Sequence, residues 1–124
     1  MTLIDFKTAI TDIKVIMKHV SAMPLPAERA LHKLGRDLSL ARRKRSISTA
    51  SMAERLFVSR DTVWRLESGD PTVAVGTLAS AMFILCLEDR VANLAAPSSD
   101  SLALGLDESR VPKRIHSPKK SLNK

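Results

Sequence analysis

The chain is poor in cysteine and in aromatic residues: one cysteine, one tryptophan and three phenylalanines in 124 residues. A lone Cys86 excludes an internal disulfide, which agrees with a reducing compartment, and its simplest role is packing within a helix. Aromatics at 3% leave the core to aliphatic side chains, with the five methionines as filler. Long apolar runs are missing too. The least polar stretch, residues 73–87, contains Gly76, Thr77 and Ser80 and is too short to span a bilayer. Apolar residues near the N-terminus are interleaved with Asp5, Lys7, Asp12, Lys14 and Lys18, unlike a secretory signal. His19, His32 and His116 lack metal-ligand spacing, and one cysteine cannot build a zinc site. A Gly-rich phosphate loop and a nucleophile–base motif are also missing. These absences argue against an enzyme, a metal or cofactor protein and a membrane protein. They leave a cytoplasmic binding protein as the expectation.

What the chain does have is positive charge, unevenly spread. Twenty basic residues against thirteen acidic give a net charge of +7 and an isoelectric point near 10.1, which favours a polyanionic partner. Residues 30–45 carry Lys33, Arg36, Arg42, Arg43, Lys44 and Arg45 against a single acid, Asp37. Residues 46–96 are net acidic, and the tail from Pro97 is basic again.

Helical periodicity organises most of the sequence. Leu3, Phe6, Ile10, Ile13, Met17 and Val20 alternate at three and four residues, which predicts an amphipathic arm. It either packs on its own domain or pairs with a second copy. Prolines at 24 and 26 separate it from the next helix, whose stripe is Leu31, Leu34, Leu38 and Ala41. That helix runs out in ARRKR, where cations suit the negative end of the macrodipole with or without a ligand. Ser48 and Ser59 are N-cap residues for two short helices, the first turning Met52, Ala53 and Leu56 inward. Gly69 ends the second, and Asp70-Pro71 forbids continuation. Residues 75–87 form a helix apolar nearly all round, central in the core or shared with another subunit. Glu88 and Asp89 open a last helix with Val91, Leu94 and Ala95 inward.

The helix after Ser59 is built to face a ligand. At 100° per residue Arg60, Asp61, Trp64, Arg65 and Ser68 fall within an arc of about 140°. Thr62, Val63 and Leu66 lie opposite. Arginine can donate two hydrogen bonds to guanine O6 and N7, and aspartate can accept one from cytosine N4. Asp61 is equally at home as an acid in a first helical turn. Trp64 either meets sugar and thymine methyl groups or covers a neighbouring helix.

The order and spacing of these elements resemble the Cro/CI-like (XRE) helix-turn-helix family over residues 34–94. Met52-Ala53-Glu54-Arg55, Val58-Ser59, Thr62-Val63 and Leu66-Glu67-Ser68-Gly69 carry the resemblance. It implies an all-α, five-helix, lambda-repressor-like domain over residues 26–96. An extra N-terminal helix and linker (1–25) precede it, and a basic, mostly disordered tail (97–124) follows. It also implies that residues 59–68 lie in the major groove of double-stranded DNA, with Arg60, Asp61 and Arg65 at base edges. Trp64, on the same exposed face, joins them as an expected base contact. By the same resemblance Thr49 stands at a phosphate-contacting position, and Arg42 with Glu67 is a structural pair that positions the reading helix. The basic cluster itself makes Arg43, Lys44 and Arg45 expected phosphate contacts. Two residues depart from the family pattern. Thr49 replaces a longer amide, and Phe57 stands at a turn position where glycine is usual and where a positive φ would be strained.

A narrower resemblance is carried by LGRDLSLARRKR, by GDP followed by VAVGTLASAMFILCLEDRVANLA, and by ESRVPKR. It is similar to HipB-type antitoxins, homodimers that bind inverted-repeat operators and a HipA-like kinase toxin, repressing their own operon. A stand-alone, phage-like XRE regulator is the alternative, and a basic adaptor for protein or RNA is a third class.

Overall fold

The computed structural model describes residues 23–118. The arm expected over residues 3–20 lies outside them, as do residues 119–124. Among the described residues there are five α-helices and no strand: α1 (Leu25–Lys44), α2 (Thr49–Leu56), α3 (Arg60–Glu67), α4 (Val75–Ile84) and α5 (Glu88–Ala92). None is long and apolar enough to cross a membrane. The chain divides into two compact units between Val91 and Ala92, ahead of the change in composition at Pro97.

In the first unit α1 packs on α3, and α2 packs on both α3 and α4. The core is Leu38, Met52, Ala53, Leu56, Val63, Leu66, Ala81, Met82 and Leu85, and it contains no aromatic side chain. Phe57, Trp64 and Phe83 are instead 95%, 65% and 67% exposed. Among the described residues the core is therefore aliphatic, as composition suggested, and the three aromatics described lie on the surface.

Serine caps start the two short helices as expected. Ser48 Oγ accepts from the Ser51 amide at 3.0 Å, and Ser59 Oγ from the Thr62 amide at 3.1 Å, each satisfying one orphan donor of a first turn. The helix ends share a device that the sequence reading found only at Gly69. α1 through α4 each close with a left-handed residue, at Ser46, Phe57, Gly69 and Cys86. In every case the following amide reaches back five residues: Ile47 to Arg42, Val58 to Ala53, Asp70 to Arg65 and Leu87 to Met82. This is the Schellman arrangement, which satisfies orphan carbonyls. Three of the four residues carry a Cβ, although the left-handed region costs such residues roughly 1–2 kcal/mol. Cys86 is thus corrected: it caps α4 from outside the helix and is exposed, not packed inside it.

α4 is also less central than its composition suggested. Ala81, Met82 and the adjoining Leu85 are buried, while Val75 and Phe83 face solvent. In the second unit Leu94 and Ala95 are exposed, against the inward positions expected for them. There the described tail is turn-rich, with short 3-10 helices at Pro97–Ser99 and Glu108–Arg110. Leu102, Leu104 and Leu106 lie exposed along its turns, not in a strand.

One contact in the first unit is set by glycine alone. A Cβ on Gly35, in mid-α1, would sit 2.5 Å from the Glu67 carbonyl oxygen and 2.9 Å from the Gly69 nitrogen. A Cβ on Gly69 would meet the backbone of His32 and Leu31 at 2.8 Å. The two glycines let α1 and the end of α3 approach backbone to backbone. Gly35→Ala is expected to cost about 1–3 kcal/mol as overpacking. Gly76→Ala, with nothing within 4 Å of its Cβ, should be neutral or stabilising by up to about 1 kcal/mol. Urea denaturation of the two variants checks the contrast.

Candidate functional site

Arg42 ties three segments of the first unit together. On α1 it is nine-tenths buried. Its Nε and Nη2 donate to the two carboxylate oxygens of Glu67 at 2.7 and 2.9 Å. Its Nη1 donates to the Ile47 carbonyl at 2.8 Å. One guanidinium therefore joins α1, the loop that leads into α2, and the last residue of α3. The Glu67 contact holds the Arg42 pKa above its ordinary value, against the opposing effect of burial. A planar fork facing a carboxylate fixes direction as well as distance. The pair expected from sequence is present with bidentate geometry.

This anchoring leaves one side of α3 in the core and the other in solvent. Val63 is fully buried and Leu66 nearly so, with Thr62 half-buried. Arg60, Asp61 and Trp64 are exposed on the opposite side. Trp64 leaves most of its ring open to solvent. The Ser68 hydroxyl donates to the Trp64 carbonyl at 2.8 Å, closing the last turn beneath it.

Arg65 differs from its neighbours. Its side chain is one-third exposed, and its Nε donates to Asp70 Oδ2 at 2.8 Å. Its Nη2 also donates to the Thr72 hydroxyl. Asp70 Oδ1 in turn accepts from the Thr72 amide at 2.8 Å and the Thr72 hydroxyl at 2.6 Å. Bonds from the Thr72 hydroxyl, then Arg65, then the Thr72 amide hold the Asp70 carboxyl down at about 2 from an ordinary 3.8. Asp70 and Thr72 were missed in the sequence, where Asp70-Pro71 read only as a helix stop. The available signal was an aspartate two residues before a threonine, the spacing of a side chain that bonds the backbone of its own turn.

The remaining expected residues lie near the junction of α1 and α2. Thr49 is the first residue of α2 and is half-buried. Arg43, Lys44 and Arg45 are exposed at the end of α1. Arg45 Nη1 donates to the Ala41 carbonyl at 2.8 Å, and Arg43 Nε to the Ser39 carbonyl at 3.3 Å. Arg45 thus caps its own helix at Ala41, Arg43 leans back along it, and both keep further donors. Phe57, between α2 and α3, has φ 56°. The turn keeps the left-handed backbone for which glycine is the default, and the ring packs on nothing in compensation. Among the described residues no three His, Cys, Asp or Glu side chains are grouped to hold a metal ion.

No family model, curated protein or solved structure matches this chain.

Two outcomes follow for the ion pairs. Arg42→Ala should destabilise the first unit by about 3–5 kcal/mol, because it strands the Glu67 carboxylate in a mostly buried site. Arg42→Met combined with Glu67→Leu should lose less than either single change. Urea midpoints that simply add would show that pairing is not what the two residues contribute. For Asp70 the folded pKa is depressed, so its contribution is complete above about pH 4. It is lost as pH falls through the unfolded value of 3.8 toward about 2. The stability difference between the wild type and Asp70→Asn should therefore shrink across that window, which acid titration of the two proteins measures.

Proposed function

We propose that this chain is a sequence-specific, DNA-binding transcriptional repressor of the Cro/CI-like (XRE) helix-turn-helix type. The observation that carries the reading is α3 itself. An eight-residue helix buries Val63 and Leu66, is clamped at its end by Arg42–Glu67, and turns Arg60, Asp61 and Trp64 to solvent. In this reading α2, the Phe57 turn and α3 are the helix-turn-helix, and α3 enters the major groove.

Arg60 and Arg65 would donate to guanine edges, Asp61 would accept from cytosine N4, and Trp64 would cover a thymine methyl. Thr49, Arg43, Lys44 and Arg45 would touch phosphates, which position the protein and set affinity without carrying sequence information. The solvent-facing Val75 and Phe83 of α4 support a homodimer on an inverted repeat. Half-sites would then lie about 34 Å apart, one helical turn of duplex. The cytoplasmic antitoxin role, with a HipA-like kinase as partner, rests on the flanking sequence patterns. Co-purification with a kinase encoded beside this gene would carry it, and its failure leaves the stand-alone regulator.

Selection from randomised duplexes, followed by titration across salt, tests the division of labour. Arg60→Ala should relax preference at one position of each half-site by about 1–3 kcal/mol. Lys44→Ala should weaken all duplexes alike and lower the salt slope by about one. Equal losses on selected and random duplexes for both variants would remove the assigned roles.

A further inference from the structure

The contacts of Arg65 separate its guanidinium into an edge that is held and an edge that is free to bind. A guanidinium carries five N–H donors, one on Nε and two on each terminal nitrogen. The bond to Asp70 uses Nε, and the bond to Thr72 uses one hydrogen of Nη2, so both lie along one side of the planar group. The second Nη2 hydrogen and both Nη1 hydrogens remain. That terminal pair is the fork that meets guanine O6 and N7.

The holding groups are themselves fixed without help from the Arg65 side chain. The Asp70 amide bonds the Arg65 carbonyl at 3.0 Å as part of the α3 cap. Gly69 gives that cap its left-handed turn, and α1 packs against Gly69 so closely that no Cβ fits. Asp70 Oδ1 is occupied by the amide and hydroxyl of Thr72, which aims Oδ2 at Arg65 Nε. Two links of different kinds, one backbone and one side chain, therefore join residues 65 and 70. A flexible arginine would have to be ordered when it meets a base. This one is ordered beforehand.

We infer that Asp70 and Thr72 are specificity-determining residues, which never touch DNA but orient the terminal fork of Arg65 for a guanine. The inference rests on the DNA reading above. It makes Asp70 and Thr72 positioning residues and leaves Arg65 as the reader. Its chemistry demands a carboxylate at 70 and a hydroxyl at 72. Loss of the carboxylate frees Nε and loss of the hydroxyl frees one hydrogen of Nη2, and either lets the fork swing.

The test is binding-site selection from randomised duplexes with the full chain, followed by titration of each selected half-site base. The wild type should enrich guanine at one position per half-site, and Arg65→Ala should lose that preference by about 5- to 150-fold. Asp70→Ala should lose preference at the same position and leave the others unchanged. The Arg65→Ala, Asp70→Ala double variant should do no worse there than Arg65→Ala alone. Thr72→Val should weaken the preference and Thr72→Ser restore it, a rescue that separates orientation of Arg65 from general stability of the turn. An Asp70→Ala protein that keeps full preference for the guanine overturns the inference. So does one that binds the operator more tightly, since the carboxylate would then be competing with DNA. If the wild type enriches no consensus at all, the DNA reading fails first and this inference with it.

Discussion

The first unit depends on a single guanidinium. Arg42 reaches from α1 to the Ile47 carbonyl and to both oxygens of Glu67, so it sets the entry into α2 and the end of α3 at once. A hydrophobic contact in its place would hold the helices together without fixing their rotation. The bidentate geometry fixes both, and its mostly closed surroundings keep water from competing for the carboxylate. The same end of α3 is pinned a second time, where Gly35 and Gly69 bring backbone against backbone. With Val63 and Leu66 buried as well, the short helix is held along its length and at its exit. An isolated helix of eight residues would not be stable in water. Here tertiary contacts supply nearly all of its order.

The helix ends show where the chain accepts conformational cost. Four consecutive helices close through left-handed residues, yet only one of these is glycine. Ser46, Phe57 and Cys86 adopt a backbone that L-residues resist, and all three side chains are exposed, so burial gives no compensation. The compensation comes from the reach-back hydrogen bonds that satisfy carbonyls at the end of each helix. The short connections between α1, α2 and α3 require this tight reversal whatever residue occupies it. Phe57 is the clearest case: the turn geometry is kept and the side chain is left in solvent.

Which features could be read from the sequence follows from the same physics. Ser48 and Ser59 were legible as caps because capping is local, and Gly69 because glycine marks a left-handed position. The core stripe on α1 followed from periodicity. Arg42 with Glu67, far apart in sequence, became legible only through resemblance to a family. Gly35 escaped because a glycine inside a helical pattern gives no sign of what approaches it. Ser46 and Cys86 escaped because nothing in a serine or cysteine announces a positive φ. Arg65 was legible as a residue on the exposed side of α3. Its partners were hidden, because the bond to Asp70 crosses the helix cap, where helical spacing no longer says which side chains meet.

The paired acids also alter the meaning of the acidic middle of the chain. Glu67 is spent on Arg42 and Asp70 on Arg65, so neither stands as free negative charge near α3. The charge left unpaired on α3 is then Arg60, offset by Asp61, with the outer edge of Arg65 offering hydrogen-bond donors. In the proposed complex with DNA, so little charge would suit discrimination between bases better than attraction to phosphate. Under that proposal, attraction would come from elsewhere on the chain. Arg43, Lys44 and Arg45 lie beyond the clamped pair, exposed at the end of α1 and joined to α2 through the loop that Arg42 grips at Ile47. Arg42 is thus the point at which the charge-bearing end of α1 and the short helix α3 are held in one fixed relation. Neither could be displaced without moving the other.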